Sequence, residues 1–550
     1  MNTSRWWILG VAALGLTAGR LTADPPSNTT TPTPSKIAAA PLLSPEALAA
    51  RIDHHLGVRF TERDVKPAPL ADDAEFMRRL SLDLTGRIPR VADLRDFLEE
   101  KAPNRRSLLV ERLLEHPHYV THFGTIWTTV MLPPANQNFQ VFARNFKGWI
   151  EKQVRENVAY DKMVRELLTT PVNLPGLPRG AVGIPPAPGR PVSPLAFFQA
   201  NELKAENLAA SASRVFLGVR LECAQCHDHP FANWTRKQFW EYAAFFAGTQ
   251  PPQRLPPGRQ PPPQPPDPNR RTIKIAGTEK VVEARFLDGA APQFQPNVDS
   301  RITLANWMTT AKNPYFARTA GNRLWGHFFG IGLLDPVDDE PTEDNPASHP
   351  ELLAELTTQF AAHDFDIKYL IRAITASKAY QRASAVSDPS QNEPRLFARM
   401  AVKGLTPEQL FDSLAQATGY KDTQITPQGR INPLNARTQF LQKFASQEKR
   451  TEYQTSILQA LSLMNGKFIA DATSVERSTT LAAVIDAPFM TTARRVETLY
   501  LATLSRLPRA EELARMVAHV DSGGPRGDTR AALTDVFWVL LNSSEFILNH

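Results

Sequence analysis

At 550 residues the chain is too long for one ordinary core and points to two or more folded units. Hydrophobic residues at 42% and charged residues at 21% fit a soluble globular protein. The formal charge of +6 is spread among interspersed Lys, Arg, Asp and Glu, which excludes the blocked basic footprint of a nucleic-acid binder despite a pI near 9.2.

The N-terminus reads as a secretory signal over residues 1–23. Arg5 supplies positive charge, Trp6 to Leu16 is an apolar run, and Leu21-Thr22-Ala23 ends in a small residue suited to cleavage. The run is shorter than the ~20 residues of a spanning helix, and Arg20 interrupts it. Export to the periplasm or cell surface is therefore expected, with no transmembrane span in the mature chain. Residues 24–43, rich in Thr and Pro, lack the large apolar side chains that offset ordering entropy and read as a tether.

Order is expected from Ser44, where Ser44-Pro45-Glu46 supplies an N-cap, a proline at the first helical position and an acid in the first turn. Residues 44–248 form a helical domain. Ala74 to Leu84, Val91 to Leu98, Leu108 to Leu114 and Phe142 to Leu168 carry apolar residues at helical spacing. Pro171 to Pro194 is a long Pro/Gly loop, and helical pattern resumes at Glu206. Residues 249–271, with Pro261-Pro262-Pro263, make an extended linker. Residues 272–298 hold a small β-hairpin around Gly277, the one sheet of note. Residues 299–550 are helical again: Thr406-Pro407-Glu408-Gln409 is a capping box, and Ser456 to Phe468, Ala493 to Leu504, Ala510 to Val520 and Thr529 to Leu541 are periodic. The fold class is mainly α, with two helical domains.

Both cysteines of the chain fall in Cys223-Ala224-Gln225-Cys226-His227, with His229 two residues further on. Three chemistries want such spacing. In a c-type haem site Cys223 and Cys226 form the thioethers and His227 is the proximal iron ligand, an arrangement suited to export. Exported Cys-x-x-Cys pairs also oxidise to disulfides. In the third reading Cys223, Cys226, His227 and His229 hold a metal such as zinc, although His227 and His229 lie too near the thiols to close a good tetrahedron alone. A haem would want a cavity of several hundred Å3 beside His227. A distal ligand would come from His122 or Met131, with His118, Met163 and His327 as further candidates.

Several strings resemble a pair of domains found together in exported proteins of planctomycete-type bacteria. The first, a planctomycete cytochrome-C-like domain of unknown function, is suggested by Phe76-Met77-Arg78-Arg79-Leu80-Ser81-Leu82-Asp83-Leu84-Thr85-Gly86, by His122 with Trp127, and by Arg214-Val215-Phe216-Leu217-Gly218 running into Cys223 to Phe231. The second, a planctomycete-specific domain of unknown function, is suggested by Asn313-Pro314-Tyr315-Phe316, Asn322-Arg323-Leu324-Trp325-Gly326-His327, Leu334-Asp335-Pro336-Val337-Asp338-Asp339 and Phe365-Asp366-Ile367-Lys368. The resemblance spans most of residues 45–545 and implies the haem-like motif without a reaction. The linker at 249–271 is unusually proline-heavy for such a chain.

Two further constellations stand out. Arg323 and His327 share one helix, and Asp335, Asp338 and Asp339 follow a Gly-containing turn, which suits either metal-assisted hydrolysis or a buried ion-pair clamp. Asp83 with Arg78, Arg79 and Arg87 invites the same alternatives. A Gly-rich phosphate loop, a Gly-x-Ser-x-Gly elbow and a His-Glu-x-x-His helix are all missing from the sequence. The expected function is an exported c-type-haem-like protein that moves electrons to a redox partner or another exported protein. The alternatives are a haem-free scaffold or substrate-binding protein, and a hydrolase using His327 and the nearby aspartates.

Overall fold

The computed structural model describes residues 41–132, 139–172, 192–230, 232–249, 267, 269–421, 435–444 and 467–550. The leader, most of the tether, most of the Pro/Gly loop and of the Pro-rich linker, and all but the last two residues of the Ser456 to Phe468 segment lie outside them.

The fold is mainly helical. Local chemistry sets the ends of the helices. Ser44 Oγ accepts from Ala47 N at 3.2 Å and opens the Pro45–Glu62 helix. Asp72 caps Asp73–Thr85, which stops at Gly86 in the left-handed region. Thr406 and Gln409 form the expected capping box of Pro407–Thr418. The helical pattern from Phe142 to Leu168 is two helices, Phe139–Arg155 and Tyr160–Thr169, separated where Asn157 takes φ 47° and Val158 N turns back to Gln153 O.

The expected hairpin pairs Thr272–Lys274 with Val281–Glu283, antiparallel. A second two-stranded sheet joins Lys403–Gly404 to Leu548–Asn549, placing Lys403 opposite Asn549. Sequence pattern missed it because two-residue strands carry no alternation.

Among the described residues two apolar cores form, and their division does not follow the proline-rich segment. The larger draws on both halves of the chain: Phe76, Trp127, Trp149, Phe197 and Phe216 share it with Phe316, Trp325, Phe360, Ile371 and Tyr380. Tyr160 is the hinge of that union, its ring 5.2 Å from Trp127 and 5.1 Å from Phe316. The smaller core is built from Leu405, Phe411, Leu414, Leu499, Phe537 and Phe546. The Asp73–Thr85 helix serves both, giving Phe76, Leu80 and Leu84 to the first and Leu82 to the second.

That helix also carries fully buried polar groups. Asp83 and Lys403 pair at 2.9 Å with both side chains fully buried. Tyr380 Oη donates to Asp83 Oδ2 at 3.0 Å, and Asn549 Nδ2 donates to Asp83 Oδ1 at 2.8 Å. Arg78 donates to the carbonyls of Thr503, Glu545, Phe546 and Leu548, tying the helix to the C-terminal segment. Arg79 reaches Tyr380 O and Glu75, and Arg87 lies 3.7 Å from Asp412. The expected grouping of Asp83 with these three arginines is thus replaced: a cation more than 300 residues away takes the carboxylate. Among the described residues no helix is long and apolar enough to cross a membrane.

Candidate functional site around the cysteine motif

The Ala205–Ala212 helix widens into a π-helical turn, Ser213–Leu217, and stops at Gly218 with φ 61°. A Cβ on Gly218 would lie 2.7 Å from Thr319 Oγ1, so only glycine lets this turn approach the Phe316–Phe329 helix. Arg323 Nη1 reaches across to Val215 O at 2.8 Å and fixes the contact. Arg323 is therefore a buried clamp between the motif arm and the second half of the chain.

Val219 and Leu221 then bury fully, and Glu222–Gln225 forms a 3₁₀ turn anchored by the buried Ala224. Cys223 lies within this turn and Cys226 caps its C-terminal end. Both are exposed free thiols. The Gln225 carbonyl accepts from Trp240 Nε1 at 3.1 Å and Arg236 Nε at 3.3 Å, which straps the turn to the Arg236–Ala243 helix.

The two histidines of the motif differ in tautomer. His227 Nδ1 lies 2.7 Å from the Asp228 carbonyl, which can only accept, so Nδ1 holds the proton and the neutral ring presents Nε2 as a lone pair. His229 Nδ1 instead accepts from Ala232 N at 3.0 Å, which leaves the proton on Nε2. His227 is thus prepared as a ligand through Nε2 and His229 is not. Among the described residues no three His, Cys, Asp or Glu side chains converge to hold a metal ion.

The loop after the Phe316–Phe329 helix borders the motif. Asp338 accepts from Arg220 at 2.6 Å and Arg214 at 3.0 Å; burial works against its charge, but the two guanidiniums hold its carboxyl below the usual range. Arg214 also lies 3.4 Å from Glu222, whose carboxyl burial pushes up. Trp234 Nε1 donates to Glu340 at 2.6 Å, and burial raises that acid too. Asp339 accepts from Glu340 N, and Asp335 precedes Pro336 at the start of the loop. Sequence reading singled out Asp338 but missed Arg214, Arg220, Trp234 and Glu340, which meet it only through the fold.

The remaining candidates have other neighbours. His327 Nε2 donates to Asp83 O at 2.9 Å, and its ring lies 5.9 Å from that of His122, which sits against Gly86. Met131 and Met163 are in the larger core. Burial and the nearby Arg87 push His118 down to about 4. A cleft of about 420 Å3 lies elsewhere, lined by Asp73, Arg105, Arg106, Glu111 and Arg372; no residue of 223–229 reaches it.

Fold and site together define a mainly helical protein in which one helical arm presents an exposed Cys-x-x-Cys-His turn, braced by the second half of the chain. Residues 51–251 match PSCyt2, a protein of unknown function (DUF1549), and residues 300–453 match PSD1, a protein of unknown function (DUF1553). The chain belongs to the two-domain family that joins them. Comparison with curated proteins and with solved structures finds no match.

Proposed function

We propose that this is an exported protein that carries haem c on Cys223 and Cys226, with His227 as the iron ligand, and passes electrons at the cell exterior. The observation that carries the reading is the turn itself: two exposed thiols three residues apart followed by an imidazole whose Nε2 lone pair is left available. When bound, the group supplies a one-electron couple on the outer surface. The chain's own part is positional. The Asp228 carbonyl orients the His227 ring and strengthens Nε2 as a donor. Trp240 and Arg236 hold the turn rigid through Gln225. Arg214 and Arg220 set the charge around it.

The test is the absorption spectrum and intact mass of protein purified from its own host. Expected are a pyridine-haemochrome band and an added mass of ~616 Da that disappears in Cys223→Ser/Cys226→Ser. Colourless protein of unmodified mass sinks the reading.

The Arg105, Arg106 and Arg372 cleft favours a second one, a haem-free extracellular protein that binds a polar ligand. Colourless native protein with ligand affinity lost in Arg106→Ala would support it.

A further inference from the structure

We propose that Lys403 and Asn549 are joined by an intramolecular isopeptide bond, formed by the protein itself with Asp83 as the proton-transfer group. This site lies apart from the cysteine motif and does not depend on the function proposed above.

Three features on different stretches of chain converge on it. Lys403 and Asn549 face one another directly on paired antiparallel strands, the register that brings opposite side chains closest. Lys403 Nζ and Asn549 Nδ2 both donate to the same oxygen, Asp83 Oδ1, at 2.9 and 2.8 Å. All three residues are fully buried. The site is also walled by aromatic rings: Tyr380 donates to the other carboxylate oxygen and packs edge-on against Phe76, Phe328 and Phe329.

An ordinary buried ion pair accounts for Lys403 and Asp83, but not for Asn549. Its Oδ1 is buried without a hydrogen-bond partner, an expensive position for an amide that only braces a carboxylate. As an electrophile beside an amine and a carboxyl, the same amide has a role. In the proposed step the Lys403 ammonium, which also donates to Phe328 O at 2.6 Å, first hands a proton to the Asp83 carboxylate it touches, so that an amine faces the Asn549 amide.

The step balances without any co-reactant. The Lys403 Nζ lone pair attacks Cγ of Asn549, and a new C–N bond forms as the Cγ–Nδ2 bond breaks. Asp83 relays to Nδ2 both protons that Nζ gives up, and that nitrogen leaves as ammonium. Asp83 ends as it began, and no group is oxidised or reduced. The product ties the strand that follows the larger core to the last strand of the smaller one, closing a long loop around the second core.

Tryptic mapping of the folded, full-length protein tests this directly, because trypsin does not cleave after an acylated lysine. Expected is a branched peptide joining the Met400–Lys421 stretch, uncut at Lys403, to the peptide that begins at Ala531 and contains Asn549, lighter than its two parts by about 17 Da. Asp83→Asn keeps the size of the side chain but removes the proton carrier, and should yield the two linear peptides. Linear peptides from the wild-type protein overturn the proposal. So does a branch from Lys403 to Asp83 with loss of water, which would make Asp83 the electrophile.

Discussion

The cysteine turn and the Asp83 cluster are built on opposite principles. At the turn, Cys223, Cys226 and His227 face solvent, and the chain spends its hydrogen bonds on backbone atoms that hold the turn in shape. Around Asp83 the side chains of Lys403, Tyr380 and Asn549 all donate to one carboxylate, out of reach of water. Groups meant to meet something outside the chain are presented with their valences open; groups that define the chain's own architecture are closed on each other.

The largest expected effect lies in the buried cluster. Asp83→Ala removes the acceptor of Lys403, Tyr380 and Asn549 together and should cost about 3–5 kcal/mol, read as a lowered urea midpoint. A cost under ~1 kcal/mol would erase the distinction between the two regions.

Acid should weaken the interior next. Burial, reinforced by Arg87, Arg59 and Arg78 respectively, lowers His118, His349 and His550 from 6.5 to about 4. The unfolded chain takes up protons near pH 6.5 that the folded chain refuses until about pH 4. Stability is therefore full above pH 6.5 and declines as pH falls through that window. His349→Asn should flatten the decline in urea midpoints measured between pH 7 and pH 4.5; an unchanged slope would exclude His349 as a contributor.

The junction between the regions is sharpened by Gly218→Ala, which combines a positive φ with a contact at Thr319. It should cost about 1–3 kcal/mol. Thr319→Ala in the same chain should recover part of that loss, because the hydroxyl is the nearest atom the new methyl meets.

What the sequence reveals differs between the two regions for a physical reason. Caps at Ser44 and Thr406, helical periodicity and the contiguous Cys-x-x-Cys-His are local, so they can be read from neighbouring letters. The partners of Asp83 cannot. Arg78, Arg79 and Arg87 are the cations near it in sequence, yet Arg79 turns back to Glu75 and outward to Tyr380 O. Lys403 and Asn549 arrive on strands of two residues each, too short to leave a pattern. Likewise Arg214 and Asp338 meet across 124 residues, and nothing in either segment announces the other.

The smallest stability effect is expected where the chemical interest is greatest. His227→Ala, Cys223→Ser and Cys226→Ser each remove an exposed side chain, while the Gln225 carbonyl that straps the turn is untouched. Each should move the unfolding free energy of the apoprotein by no more than ~0.5 kcal/mol. If haem c is attached as proposed, the same three variants abolish the chromophore or shift its spectrum. Function and stability would then separate cleanly at this turn, as they cannot at Asp83. A loss of several kcal/mol in apoprotein Cys226→Ser would mean instead that the thiols brace the fold, and the scaffold reading would gain what the haem reading lost.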